Sequence, residues 1–467
     1  MRRTVAVISL LAGCGFTLTP GNAPPLDAPI DAPPLAEFGD GKDGPLDVTS
    51  TLVINRCHEL VSVMGSDQLV VATWGDEPVG RRLLLLQVQD VFATSGDPAS
   101  IDLAHQPADA GRWQEVVVAS VDRTANQPVL TVRPTITVAF GTLPDRTRVA
   151  QACTVPEYTD VDVSAGGSLV ATRWNGATGG VVALYAQGSV RLDGQIDTVG
   201  AGFRGGQRKP VNMDNDVTDL DTTNGRGGGK GESLDGRSWS REGRGNYSNG
   251  AGGGGGSHSG GGGGGGAGAG GLGGYQWNSS GNNVGPDTRG LGGSAFAFAP
   301  TVRLAFGGGG GAGHTRWTST SPYCADGFGG DGGAGGGLVL VTAATIGGLG
   351  KIVAEGLPGT CTWPNGASGG GGGGTIRVHA TTIASLGSIS ASGGAGGFNY
   401  DINGRAGPGG GGGGGHVVTR GAIGSALTIS VAGGASGLHS DPDLTPFVND
   451  DPWGATAGAI GVQTALP

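Results

Sequence analysis

Charged residues make up only 14% and aromatic residues only 5% of this 467-residue chain, and each scarcity removes a class of explanation. So few charges exclude a polyelectrolyte tail. The formal charge of −10, more negative once Arg2 and Arg3 leave with a leader, lacks the basic footprint of a nucleic-acid binder. So few aromatics exclude a conventional aromatic-rich core. After the first residues no apolar run approaches the roughly 18 residues of a spanning helix, and no long segment of helical period competes with short alternating runs. The five cysteines show no CxxC spacing and no Cys–His cluster, so neither a metal nor a cofactor is expected.

What is abundant is glycine, 102 residues, against an average usage of about 7%. A strict Gly-X-Y period is missing, which excludes collagen. The glycine runs lie between copies of a unit best seen in Gly374–Gly397. It has an alternating strand (Ile376, Val378, Ala380), a step through Ile383 and Leu386, a turn at Gly387 and a second strand (Ile389, Ala391). Gly337–Gly356 repeats it 37 residues earlier, Ile346 matching Ile383. A third copy lies 40 residues later, with His416, Val418, Ile423, Ile429, Val431 and Gly433. Gly180–Gly200 is a fourth copy with one extra residue between its strands, and Gly458–Thr464 is a final first strand. One unit holds too few aliphatic side chains to offset the ordering cost of its own backbone, about 1–2 kcal/mol per residue. Stacking units into a quasi-one-dimensional array resolves this. The expected inward positions are Ile196, Ile352, Ile389 and Ile429, then Thr198, Ala354, Ala391 and Val431; Asp197, Val353, Ser390 and Ser430 should face out.

Four regions follow. Residues 1–13 carry a basic pair and a short apolar core, and lead through Leu11-Ala12-Gly13 into Cys14. This resembles the bacterial lipoprotein signal, which implies cleavage before Cys14, a lipid on Cys14, and export; Gly15 after it implies sorting to the outer membrane of a Gram-negative cell. Residues 14–37, rich in Pro, Ala and Asp, read as an extended tether. Residues 38–162 contain apolar or alternating runs at Leu46–Ile54, Leu69–Trp74, Leu83–Val91, Glu115–Val121, Val129–Val132 and Ile136–Phe140, the spacing of a β-sandwich or barrel. Residues 163–467 are the glycine-rich repeats. The expected fold is therefore all-β: a barrel-like N-terminal domain, then a β-solenoid or stacked-hairpin body. Its glycine tracts are either flexible loops or packed three-residue-per-turn polyglycine-II helices. The units and tracts resemble glycine-rich bacterial surface proteins and the tips of glycine-rich phage adhesins, which implies exported, repetitive surface architecture and supports the packed form as an equal alternative to loops.

Cys57, Cys153, Cys324 and Cys361, an even number in an exported chain, are disulfide candidates. Pairing within each region is the simplest of three connectivities. The tempting motifs are weak. Asp40–Gly44 lacks the acidic third position of a calcium loop and reads as a turn. Gly366-Ala367-Ser368-Gly369-Gly370 fits GxSxG but lies in a glycine tract with no helix to follow. Arg226–Tyr247 resembles an RNA-binding RGG segment, yet its acids dilute the charge and a solvated loop is expected. The rival function is a polysaccharide-degrading β-helix enzyme, which would need paired outward carboxylates; no acidic ladder is present, and His379 and His416 stand without partners. The expectation is a non-enzymatic, lipid-anchored structural or adhesive envelope protein. Tyr275, Trp277, Trp317, Tyr323, Phe398, Tyr400 and Trp453 could stack on glycans or another cell-surface component, or plug gaps in the array.

Overall fold

Alternating side chains place every second residue on one face of a strand, and the repeat units follow this rule except at a few positions. The computed structural model describes residues 35–91, 109–209, 218–223, 226–277, 287–296, 302–316, 324, 329–400, 405–424, 427–440 and 450–467. The signal with Cys14, most of the tether, Trp317 and Tyr323 lie outside these residues. Leu35–Pro467 forms one compact unit. It is all-β, with parallel and antiparallel sheets and no helix among the described residues.

The chain begins with β1 (Leu46–Val48) and β2 (Thr51–Leu52). It then runs through β3 (Cys57–Met64), β4 (Gln68–Val71), β5 (Arg82–Gln89), β6 (Trp113–Asp122), β7 (Val129–Arg133) and β8 (Val149–Val155). These six close into an antiparallel barrel in the order β3-β4-β7-β6-β5-β8. Next come β9 (Glu157–Tyr158), β10 (Val161–Val163), β11 (Ser168–Val170), β12 (Val181–Leu192), β13 (Gln195–Asp197), β14 (Leu338–Gly347) and β15 (Lys351–Val353). The last are β16 (Thr375–Ile383), β17 (Ser388–Ser390), β18 (His416–Ile423), β19 (Thr428–Ser430) and β20 (Val462–Leu466). One parallel sheet has the order β1-β10-β12-β14-β16-β18-β20, with β9 also on β12; the other has the order β2-β11-β13-β15-β17-β19. Strands β1 and β2, inside the stretch assigned to the N-terminal domain, thus belong to the parallel sheets, and the barrel is inserted between them and β9.

The register follows the repeat. Ile196, Ile352, Ile389 and Ile429 are successive cross-strand partners, and the first three are fully buried between the sheets with Val339, Ile376 and Ile346. Thr198, Ala354, Ala391 and Val431 are buried as expected. Three details differ. Val353, expected outside, is buried. The extra residue of the Gly180–Gly200 copy sits inside β12 as a bulge between Ala186 and Ser189, not between strands. In the third copy Val417, rather than Val418, pairs with Ile376 and faces the core. The one-residue difference is absorbed before Ala422, opposite Gly421 with its φ of +119°.

The Leu83–Leu86 run is continuous because both faces of β5 are covered. Leu83 and Leu85 fill the barrel with Leu60, Val116 and Leu130, while Leu84 and Leu86 pack outside it with Val181, Ala183, Leu338 and Leu340 of the parallel sheet. A charged network reinforces that seam. Buried Arg82 bonds Glu157 Oε1 through Nη2 at 2.7 Å and Glu115 Oε2 through Nη1 at 3.2 Å, and Tyr185 Oη donates to Glu115. Cys57 and Cys153 are direct partners on β3 and β8 and form a disulfide; Cys324 pairs with Cys361. Ile136–Phe140 is not a strand, and β3 and β8 are strands where none was expected.

The glycine tracts bond to neighbouring segments. In Gly307–Gly313 the amides of Gly307, Gly310 and Gly313 donate to the carbonyls of Gly336, Gly333 and Gly330; those of Gly308 and Gly311 donate to Gly265 and Gly262; those of Gly309 and Ala312 donate to Glu232 and Gly229. Gly369–Gly374 behaves alike, donating in turn to Gly311, Gly410, Leu357, Gly308, Gly413 and Ala354. Every third residue addresses the same neighbour, and no donor is spent within its own tract. Such proximity leaves no room for a side chain: a Cβ on Gly412 would overlap the carbonyl oxygen of Gly371.

Candidate surface-contact site

Where one glycine tract leads into the next, the chain makes short segments that stack on one another as the strands do. Thr362, Asn399 and His439 are bridged in parallel, and His439 meets Asp451. Asn399 points inward and is fully buried: its Nδ2 donates to Asn365 O and to Thr362 Oγ1, and its Oδ1 lies 3.3 Å from His439 Nδ1. Alternation then turns its two neighbours outward. Phe398 is 39% exposed, and its ring stacks on that of Tyr400 at 6.3 Å between centroids and 20° between planes. Cys361 of the Cys324–Cys361 disulfide immediately precedes Thr362.

The other aromatics have different fates. Tyr275 and buried Trp453 meet edge to face at 6.1 Å, with Arg289 over Tyr275 at 4.3 Å and Arg405 over Trp453 at 5.0 Å; Trp453 Nε1 donates to Gln276 O. That pair plugs the array. Trp277 is half-buried, its ring 6.5 Å from His258, whose pKa burial, with His314 and Arg316 nearby, pushes down to about 3. Of the described sequence candidates, then, the structure brings together exposed Phe398 and half-buried Tyr400. Sequence reasoning missed the ladder beneath them, although the spacings of Thr362 to Asn399 and Asn399 to His439 are the same 37 and 40 residues as the strand repeats.

The residues that the sequence offered for catalysis each have a partner within the fold. Ser368 is fully buried, its Oγ donating to Asp331 O at 2.6 Å and accepting from Thr360 N, in extended chain with no helix following. Asp193 pairs with Arg191, Asp197 accepts from Val199 N, and Glu355 accepts from Ser390. His416 Nε2 lies 2.9 Å from Thr464 Oγ1 and His379 Nε2 3.5 Å from Glu37; burial lowers both pKa values, and Arg420 lowers that of His379 further. The RGG-like stretch is not the solvated loop expected. Lys230, Glu232 and Asp235 are buried; Lys230 Nζ donates to the carbonyls of Leu220 and Gly245, Arg237 pairs with Asp235 and Arg241 with Asp221. Asp40–Gly44 makes the expected turn, with Lys42 Nζ on Glu157 at 2.6 Å. Among the described residues no group of three His, Cys, Asp or Glu is placed to hold a metal. No protein-family model, no curated protein and no solved structure matches this chain.

Proposed function

We propose that the chain is an exported, lipid-anchored envelope protein whose body is a rigid, non-catalytic β-solenoid, one wall of it a bundle of polyglycine-II helices, and that the body serves adhesion. The three-residue period of the tract hydrogen bonds is what a polyproline-II-type helix requires, since that helix has three residues per turn and no internal bonds. In-register pairing of the isoleucines through four parallel strands supports the stacked units. The observation that carries adhesion is the near-parallel pair of exposed Phe398 and half-buried Tyr400 on a buried polar ladder. Two flat, near-parallel rings suit the apolar face of a sugar.

A glycan array probed with the full chain tests this. Wild type is expected to bind at least one glycan class, and the Phe398→Ala, Tyr400→Ala double variant to lose about tenfold or more in affinity, as two stacking contacts would supply. Equal binding by the double variant would remove these rings from the site. The anchor is tested separately. Cys14→Ser should abolish labelling by a lipid precursor and release the protein from membranes; a variant that stays with the membrane after a high-salt wash would refute the lipid.

A further inference from the structure

Where the barrel meets the parallel sheets, two cavities adjoin. One, of about 420 Å³, is lined by residues that include Arg56, Asp76, Glu77, Arg81 and Tyr158. The other, of about 560 Å³, runs on past Asn55, Thr172 and Val181, and Ile54 and Arg56 line both. Seams between packed units are common places for ligand sites.

The first cavity contains a group the fold leaves unanswered. The Glu77 side chain is only 7% exposed, yet neither of its carboxylate oxygens accepts a hydrogen bond. His58 Nε2 lies 3.2 Å from Oε1 but off the hydrogen-bonding direction, and is itself unbonded. Burial lowers the His58 pKa more than Glu77 raises it, so at neutral pH the imidazole brings no charge. The Arg56 guanidinium stands 3.6 Å from Oε1, beyond hydrogen-bond reach, on a side chain 73% exposed. Arg81 is already taken by Asp43 at 2.6 Å, and Asp76 adds a second negative charge beside Glu77. A buried carboxylate to which neither His58 nor Arg56 makes an aligned hydrogen bond is a cost to the fold, and a ligand bearing aligned donors would relieve it.

We propose that this seam groove binds an elongated organic cation whose guanidinium group occupies Glu77. Two unbonded oxygens of one carboxylate accept the parallel N–H pair of a guanidinium, a geometry that a single ammonium cannot reproduce. The second cavity receives the rest of the ligand, and Arg56, at the waist between the two, competes for Glu77 in the empty groove.

Agmatine titrated calorimetrically into the full chain is the probe. Saturable binding is expected, weakened by about tenfold or more in Glu77→Gln, which keeps the shape but removes the charge-assisted pair. Arg56→Ala, a change on the surface, is expected to tighten binding because it removes the competitor. A neutral diol or an anion held partly by Arg56 would give the opposite sign, so weaker binding in Arg56→Ala overturns the proposal. So does no binding at about 10 mM agmatine, or putrescine binding as well as agmatine. A Gly-Arg-Gly peptide in a parallel titration separates the two sources of the group, a free small molecule and an arginine side chain.

Discussion

Ile389→Asp is expected to unfold the C-terminal units, while Ser388→Asp one residue earlier leaves them intact. Ile389 is fully buried between Ile352 and Ile429 in the core shared by the two parallel sheets. A carboxylate there has no cation or donor to meet, a loss of several kcal/mol. Ser388 lies on the other face of the same strand, half-exposed and paired with Lys351, where a new carboxylate gains an ion-pair partner. The alternation alone nominates Ser390 as an equally neutral control, but its hydroxyl donates to Glu355, so Ser390→Asp would set two carboxylates in contact. Limited proteolysis of the full chain reads the outcome, with cleavage in 337–467 for Ile389→Asp only. Equal resistance of both variants would sink the register.

The second large effect is expected from a single methyl group. At most sites a Gly→Ala change compatible with the backbone stabilises a protein by about 0.4–1 kcal/mol, because the unfolded chain loses freedom. Gly166, exposed in a turn, should follow that rule, as the nearest atom to an added Cβ is Thr49 O at 3.6 Å. Gly412→Ala should invert it, losing about 1–3 kcal/mol or more, because the methyl group would displace the carbonyl of Gly371 in the neighbouring tract. Denaturant titration of both variants decides. A Gly412→Ala protein as stable as wild type would mean that the tracts are not in contact.

How much of this could be read in advance depended on whether a contact repeats. Ile352, Ile389 and their counterparts recur at fixed spacing, so the sequence carries the register of the second sheet correctly; in the first sheet it fails where a bulge hides one residue, as at Gln187-Gly188 and opposite Gly421. The barrel has no such echo. Strand β8, Val149–Val155, is buried on both faces yet reads as a mixed run, because Gln151 bonds the backbone of Gly179, Cys153 is in a disulfide and Thr154 accepts from Arg56 N; those partners are met only once the barrel has closed and docked. The insertion was illegible for the same reason, since β1 and β2 are short and their partners β10 and β11 lie beyond the barrel in the chain. At the surface site, composition could list aromatics but not sort them. Phe398 and Tyr400 face out because Asn399 between them faces in, whereas Tyr275 is claimed by Trp453, a residue far along the chain.

The three-way addressing of the tract amides also sets what changes of length the bundle can absorb. Inserting or deleting one residue within Gly307–Gly313 would rotate everything after it by about 120°, so each later amide would face the neighbour meant for another. A change of three residues restores every address and merely slides the tract by one turn. The glycine tracts therefore have a reading frame in space, and the lengths they can adopt in evolution or by design are counted in threes.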